Sequence, residues 1–223
     1  MGETIKLKAS DGATVGGYLA TPAGTPKGGL VVIMEIFGVN HHIRAVTDRF
    51  AQDGYLALAP VFFDRIKPGI ELGYTADAIQ EGRNHVMALG FDKALLDVQS
   101  AIDSLRGRGM KKVGVTGFCW GGTITWLTAC RLNVDAAVGY YGGGIHGARN
   151  EKPKCPTMLH FGDQDQAIPM NHVEEVRSLH PDVIVYDYHA GHGFHCDERA
   201  SYDAGSAKTA YGRTLEFLGK HIG

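Results

Sequence analysis

The sequence predicts an open α/β architecture: a mostly parallel central sheet with helices on both faces and an antiparallel hairpin at the N-terminus. Three observations predict it. Leu30–Met34, Tyr55–Ala59 and Ala136–Tyr140 are short, nearly continuous apolar runs, as expected of strands buried on both faces. Stretches with helical spacing separate such runs, and that alternation is the mark of a parallel sheet. One buried strand, Lys112–Thr116, runs straight into Gly117-Phe118-Cys119-Trp120-Gly121, with a helical stretch behind it.

In chain order, Ile5–Ala9 and Thr14–Ala20 alternate around Ser10-Asp11-Gly12, which reads as a β-hairpin. A Pro/Gly loop, 21–28, leads to the first buried strand. The next helix spans His42–Asp53 and is stopped by Gly54. After the second buried strand, closed by Pro60, residues 61–73 read as a loop and Thr75–Leu89 as a helix despite Gly82. Ala94, Leu95, Val98, Ala101, Ile102 and Leu105 recur at steps of three and four, the stripe of an amphipathic helix. Gly121–Arg131 is helical. Thr157–Phe161 and Val183–Tyr188 are strands around a helix at Met170–Leu179, and Ser206–Leu218 closes the chain as a helix. No repeat or linker interrupts the pattern, so one domain over 1–223 is expected.

Composition excludes several classes. The chain has 223 residues, 44% of them hydrophobic and 21% charged, far from a disordered composition. A chain of this length buries roughly 70–75% of its unfolded surface, so its core needs no disulfide. A net charge of −2 offers no basic field for nucleic acid. No apolar run approaches the ~20 residues of a membrane span. The four cysteines show no CxxC spacing and no signal sequence precedes them, so reduced thiols and a cytoplasmic location are expected. Gly142-Gly143-Gly144 opens no helix, so it is no dinucleotide fingerprint. A monomer without cofactor or metal is expected.

The chemistry concentrates at strand ends. Gly-x-Cys-x-Gly between a buried strand and a helix is the context of a nucleophile elbow, with Cys119 where serine is commoner. The helix N-terminus behind it favours negative charge, which suits a thiolate and an oxyanion. A nucleophile so placed is followed in chain order by an acid and then a histidine. Asp163 and Asp165 follow one strand; His189, His192 and His195 follow the next. Asp163, directly after Gly162, reads as a turn former, which favours Asp165 as the acid. Gly191 and Gly193 allow close backbone approach around His192, which favours it as the base. His189, His192, His195 and Cys196 also suggest metal, but the glycines argue against a helical ligand pair. Glu35 ends the first buried strand, where a carboxylate is expensive unless used. The backbone N–H groups of Ile36 (or Phe37) and Trp120 are the expected oxyanion donors.

These segments resemble the dienelactone hydrolase family of α/β-hydrolases. The resemblance rests on Glu35-Ile36-Phe37-Gly38-Val39-Asn40, Gly117 to Gly122, Ala137 to Gly142, the Asp165 loop and Ala190-Gly191-His192-Gly193-Phe194, in the family's order over nearly the whole chain. It implies a Cys119–His192–Asp165 triad, with Glu35 holding the resting thiol and releasing it as thiolate when substrate binds. It implies a cofactor-free hydrolase of small lactones or esters, such as 4-carboxymethylenebut-2-en-4-olide, opened by water to maleylacetate. Members acting on that lactone grip its carboxylate with two arginines, one of them four residues after the catalytic histidine. Here that position is Cys196, and Glu81 stands about where the other would fall. Arg83 is the nearest substrate-binding candidate on the helix, and Arg199 is a second. The alternatives are a general carboxylesterase or thioesterase without carboxylate recognition, and a thiol sensor in which Cys196 resolves oxidised Cys119.

Overall fold

The structure is a computed structural model, and it describes residues 2–223. One eight-stranded sheet carries the fold. Its strands are β1 (Glu3–Lys8), β2 (Thr14–Ala20), β3 (Gly29–Ile33), β4 (Leu56–Pro60), β5 (Val113–Phe118), β6 (Ala136–Tyr140), β7 (Thr157–Gly162) and β8 (Ile184–Tyr188). They lie in the order β1-β2-β4-β3-β5-β6-β7-β8. The β1–β2 and β2–β4 pairs are antiparallel and every other pair is parallel.

β3 to β7 are buried along their whole length, so both faces of the sheet centre are covered. The helices α1 (His41–Gln52), α2 (Ala76–Gly107), α3 (Trp120–Arg131), α4 (Met170–Leu179) and α5 (Ala204–His221) do the covering. α2 packs on α3 as well as on the sheet. α5 meets α1, where the Tyr211 ring lies 5.2 Å from Phe50 and its hydroxyl donates to Asp53.

The two helices expected over 75–105 form one long element with a break. Gly90 sits at φ 72° and ψ 165°, outside helical space, and divides α2. Only glycine adopts that conformation at low cost. Gly82 is no breaker. A Cβ there would lie 2.2 Å from the Ile36 carbonyl, so the missing side chain lets α2 run against the segment after β3. The region read as loop contains a 3-10 turn at Phe62–Arg65.

That turn supplies an ion pair the apolar stripe of α2 does not announce. Asp97 is fully buried among the apolar residues, and Arg65 donates to both its oxygens at 2.8 Å. The same guanidinium reaches Asp11 in the hairpin turn at 2.7 Å. One arginine thus ties β1–β2, the 3-10 turn and α2 together. Removing it leaves a buried carboxylate without its partner, a change that typically costs about 3–5 kcal/mol. Arg65→Ala is expected to lower the unfolding free energy by about that amount, as read by urea denaturation. A loss below about 1 kcal/mol would show that Asp97 is neutral or finds water.

Candidate active site

Cys119 joins β5 to α3. Its backbone stands at φ 56° and ψ −117°, a left-handed conformation rare outside glycine. The neighbours explain how it is tolerated. A Cβ on Gly117 would lie 2.2 Å from the Gly121 carbonyl, and one on Gly121 would lie 2.4 Å from the Met34 carbonyl. Both glycines are therefore required, and the second brings the start of α3 against the end of β3. The Cys119 N–H donates to the Tyr140 carbonyl at 3.0 Å, so β6 braces the turn from the other side.

That contact brings the two expected oxyanion donors to neighbouring elements. Trp120 is the first residue of α3, and its N–H is one of the donors a helix start leaves without an intrahelical partner. Ile36 follows β3 in the segment pressed against α2. Glu35 is 1% exposed at the same strand end.

Asp165 and His192 arrive from the loops after β7 and β8. His192 Nε2 lies 3.0 Å from Cys119 Sγ, and Nδ1 lies 2.7 Å from Asp165 Oδ2. The other Asp165 oxygen accepts from the Ala167 N–H at 2.8 Å, which fixes the carboxylate. Burial alone would lower the basicity of His192. The Cys119 charge and the hydrogen bonds from Asp165 and Cys119 outweigh it and push the ring up to about 10. The distances join sulfur, imidazole and carboxylate in one hydrogen-bonded chain.

The competing residues part from this chain. Asp163 and His189 are both exposed and pair with each other at 3.3 Å. His195 is buried, stacked on Phe118, and burial pushes it down to about 3. The three histidines of the His-x-x-His-x-x-His run thus point to three different environments and do not converge on a metal. Cys196 is fully buried, and burial with the nearby Glu35 charge pushes its thiol up to about 12. A thiol so rarely ionised is a poor resolver of an oxidised Cys119.

Two expectations need correction. Glu35 does not hold the thiol in this structure: its Oε1 accepts from Arg199 Nη1 at 3.0 Å, while the sulfur faces His192. Arg83, the helix candidate for substrate binding, is exposed and forms no ion pair among the described residues. Arg199 is the guanidinium that reaches the site. It is largely buried, and its cation lies 5.8 Å from the Phe37 ring and 5.9 Å from Tyr74. Gly193 sits at φ 79°, and a Cβ there would lie 2.6 Å from the Arg199 guanidinium. The glycine beside the histidine therefore makes room for the arginine.

Sequence reasoning passed over Tyr141, Tyr74 and His42. The Tyr141 ring packs 5.2 Å from His192, at φ 37°, with a buried hydroxyl that has no partner among the described residues. Tyr74 accepts from the Asn40 amide, and the same Asn40 caps α1 through the Ile43 N–H. The signal for His42 was present. It falls on the same helical face as Ile43, Val46 and Phe50, where a polar residue is out of place.

A cysteine on a strained strand–helix elbow, followed by an acid after β7 and a histidine after β8, is the arrangement of an α/β-hydrolase. Comparison with known proteins makes this specific: residues 15–222 match the model of the dienelactone hydrolase family, and the chain belongs to that family. The carboxymethylenebutenolidase of Pseudomonas putida is 33% identical, the alignment covering 97% of this chain and 95% of that one. A Synechocystis protein given that name provisionally is 37% identical over 92% of this chain and 91% of its own. A crystal structure from Klebsiella pneumoniae, provisionally named a dienelactone hydrolase, superposes with a TM-score of 0.83 at 30% identity. It covers 98% of this chain and 99% of its own. The chain is accordingly a hydrolase of ester or lactone bonds.

The two aspartates separate by experiment. Asp165→Asn is expected to cut kcat by about 10²- to 10⁴-fold, because an amide favours the wrong imidazole tautomer. Asp163→Asn is expected to leave kcat within about 3-fold, as befits an exposed pair. The reverse ranking would reassign the acid.

Proposed function

We propose that this protein is a cysteine-dependent hydrolase of small lactones and esters, working through a Cys119–His192–Asp165 triad and an acyl-enzyme. The observation that carries the proposal is the unbroken chain Sγ–Nε2, 3.0 Å, and Nδ1–Oδ2, 2.7 Å. The Cys119 thiolate attacks the carbonyl carbon, and the negative oxygen is received by the N–H groups of Ile36 and Trp120. Asp165 holds the imidazolium in place. Ring opening expels an enolate, which takes a proton from His192, and leaves a thioester. Neutral His192 then draws a proton from water, whose oxygen attacks the thioester and returns Cys119 as thiolate. An enol-lactone suits this nucleophile. A thiolate is itself a good leaving group, so the tetrahedral adduct goes forward only when the other leaving group is stabilised.

The favoured substrate carries a carboxylate, as 4-carboxymethylenebut-2-en-4-olide does, giving maleylacetate. Arg199 supports this reading. Its guanidinium already grips one carboxylate, Glu35, next to the nucleophile. A substrate carboxylate competes for the same cation and releases Glu35 toward the sulfur, whose proton is already on His192, so that the added negative charge makes the thiolate more reactive. A general esterase without carboxylate recognition is the second reading, favoured by the cysteine at the position where the family places its arginine.

Cys119→Ala is expected to abolish turnover with the fold intact by circular dichroism; a near-normal rate would remove the triad. Hydrogen bonds to a charged group contribute about 1.5–3 kcal/mol, or roughly 10- to 150-fold. Arg199→Gln is therefore expected to lower kcat/KM for the carboxylate-bearing lactone, relative to p-nitrophenyl acetate, by about that factor. Equal losses on both substrates would make Arg199 a structural partner of Glu35 and favour the general esterase. EDTA is expected to leave the rate undiminished; a loss restored by a divalent metal would contradict the mechanism.

A further inference from the structure

Behind Glu35 lies a second constellation that the triad does not use. Glu35 and His42 are each 1% exposed, and Cys196 is 0% exposed. A carboxylate oxygen, a ring nitrogen and the sulfur of these three residues lie within 4.8 Å of one another. They come from three separate places in the chain: the end of β3, the start of α1 and the loop after His192.

The hydrogen bonds of this cluster do not close. His42 Nδ1 lies 3.2 Å from Asp197 Oδ1, and a carboxylate accepts, so Nδ1 carries the hydrogen. A neutral ring then presents Nε2 as a bare acceptor. Nε2 is buried and has no partner among the described residues, and the same holds for Glu35 Oε2. Two buried lone pairs and a sulfur thus share one small space, with the thiol hydrogen as the one donor among the three groups. Buried acceptors left unpaired each cost about 1–3 kcal/mol. A single cation would satisfy all three.

The outer contacts are those of a metal ligand set. A metal-bound histidine commonly donates its other ring N–H to a carboxylate, which fixes the tautomer, and Asp197 does this for His42. Arg199 on Oε1 orients Glu35 and leaves Oε2 free. Thiolate, imidazole and carboxylate together suit zinc, with a fourth position open to water. Tetrahedral zinc places its ligand atoms about 3.3–3.8 Å apart, so the side chains need to close by about an ångström.

We propose that Glu35 Oε2, His42 Nε2 and Cys196 Sγ form a site for a divalent cation of the zinc class, and that filling it withdraws Glu35 from the nucleophile. The second half rests on the reading that Glu35 serves Cys119. On binding, the S–H bond of Cys196 breaks, its proton goes to solvent, and a metal–sulfur bond forms. The filled form is a resting, inhibited enzyme, so the site regulates the hydrolase and takes no part in turnover.

The test uses cobalt(II) as the probe in the full-length Cys119→Ser protein, which removes the triad thiol as a competing ligand. One equivalent is expected to raise a sulfur-to-cobalt charge-transfer absorption that zinc abolishes. The band is expected to vanish when Cys196→Ala is added, and Asp197→Asn is expected to weaken the affinity by about 10- to 100-fold. In enzyme with Cys119 intact, Cys196→Ala is expected to keep its rate and to need at least about 10-fold more zinc for half inhibition. No band, or a band that survives Cys196→Ala, would overturn the site. NMR showing both His42 nitrogens protonated, with no cobalt taken up, would overturn it too, since an imidazolium would then bridge Asp197 and Glu35. A Cys196-dependent band without zinc inhibition would overturn the role given to Glu35 while leaving metal binding standing.

Discussion

The contacts of one imidazole organise this site. His192 bridges Cys119 and Asp165, and both partners act against burial, which alone would lower the ring's basicity. Both partners must be held in place, and that demand reaches back into the sheet. Asp165 is anchored by the Ala167 N–H. Cys119 is anchored by a strained backbone, which costs about 1–3 kcal/mol and persists only where its surroundings over-determine it. Here the surroundings are three adjacent strands: β5 carries the elbow, β6 accepts its N–H, and the end of β3 touches Gly121.

The same packing that sets the elbow also sets the electrophile's side of the reaction. Because Gly121 touches the carbonyls of β3, the segment starting at Glu35 is held next to α3. Because Gly82 lets α2 press on Ile36, that segment is closed from the other side. Glu35 and Ile36 therefore lie in one packed segment, and Arg199 joins it through Glu35.

Much of this was legible in the sequence, for reasons that can be named. The buried strands declare themselves because both faces are covered, and β6 and α4 run over the residues their apolar patterns mark out. The meeting of Cys119, Asp165 and His192 is readable because such residues follow strand ends in a fixed order. That Asp165 and not Asp163 contacts His192 was expected from the turn chemistry of a residue directly after glycine. Other features depend on distance in the fold. Asp97 sits on an apolar stripe, and nothing near it in sequence announces Arg65. Arg199 and Arg83 look alike as letters. Only the path of the chain after Gly193, turning twice through the Cys196 and Arg199 N–H groups, brings the first back to Glu35. His42 was passed over because its partner, Asp197, lies 155 residues further along the chain.

The protonation of His192 in the resting protein decides whether the ion pair exists, and NMR of the ring nitrogens reads it directly across a pH series. With Cys119 reduced, the ring is expected to hold both hydrogens at neutral pH and to lose one only near pH 10. In Cys119→Ala, with the neighbouring charge gone, burial is opposed by Asp165 alone and the titration is expected to move down. A neutral ring at pH 7 in the unmodified protein, or a titration indifferent to Cys119→Ala, would contradict the ion pair and the mechanism built on it.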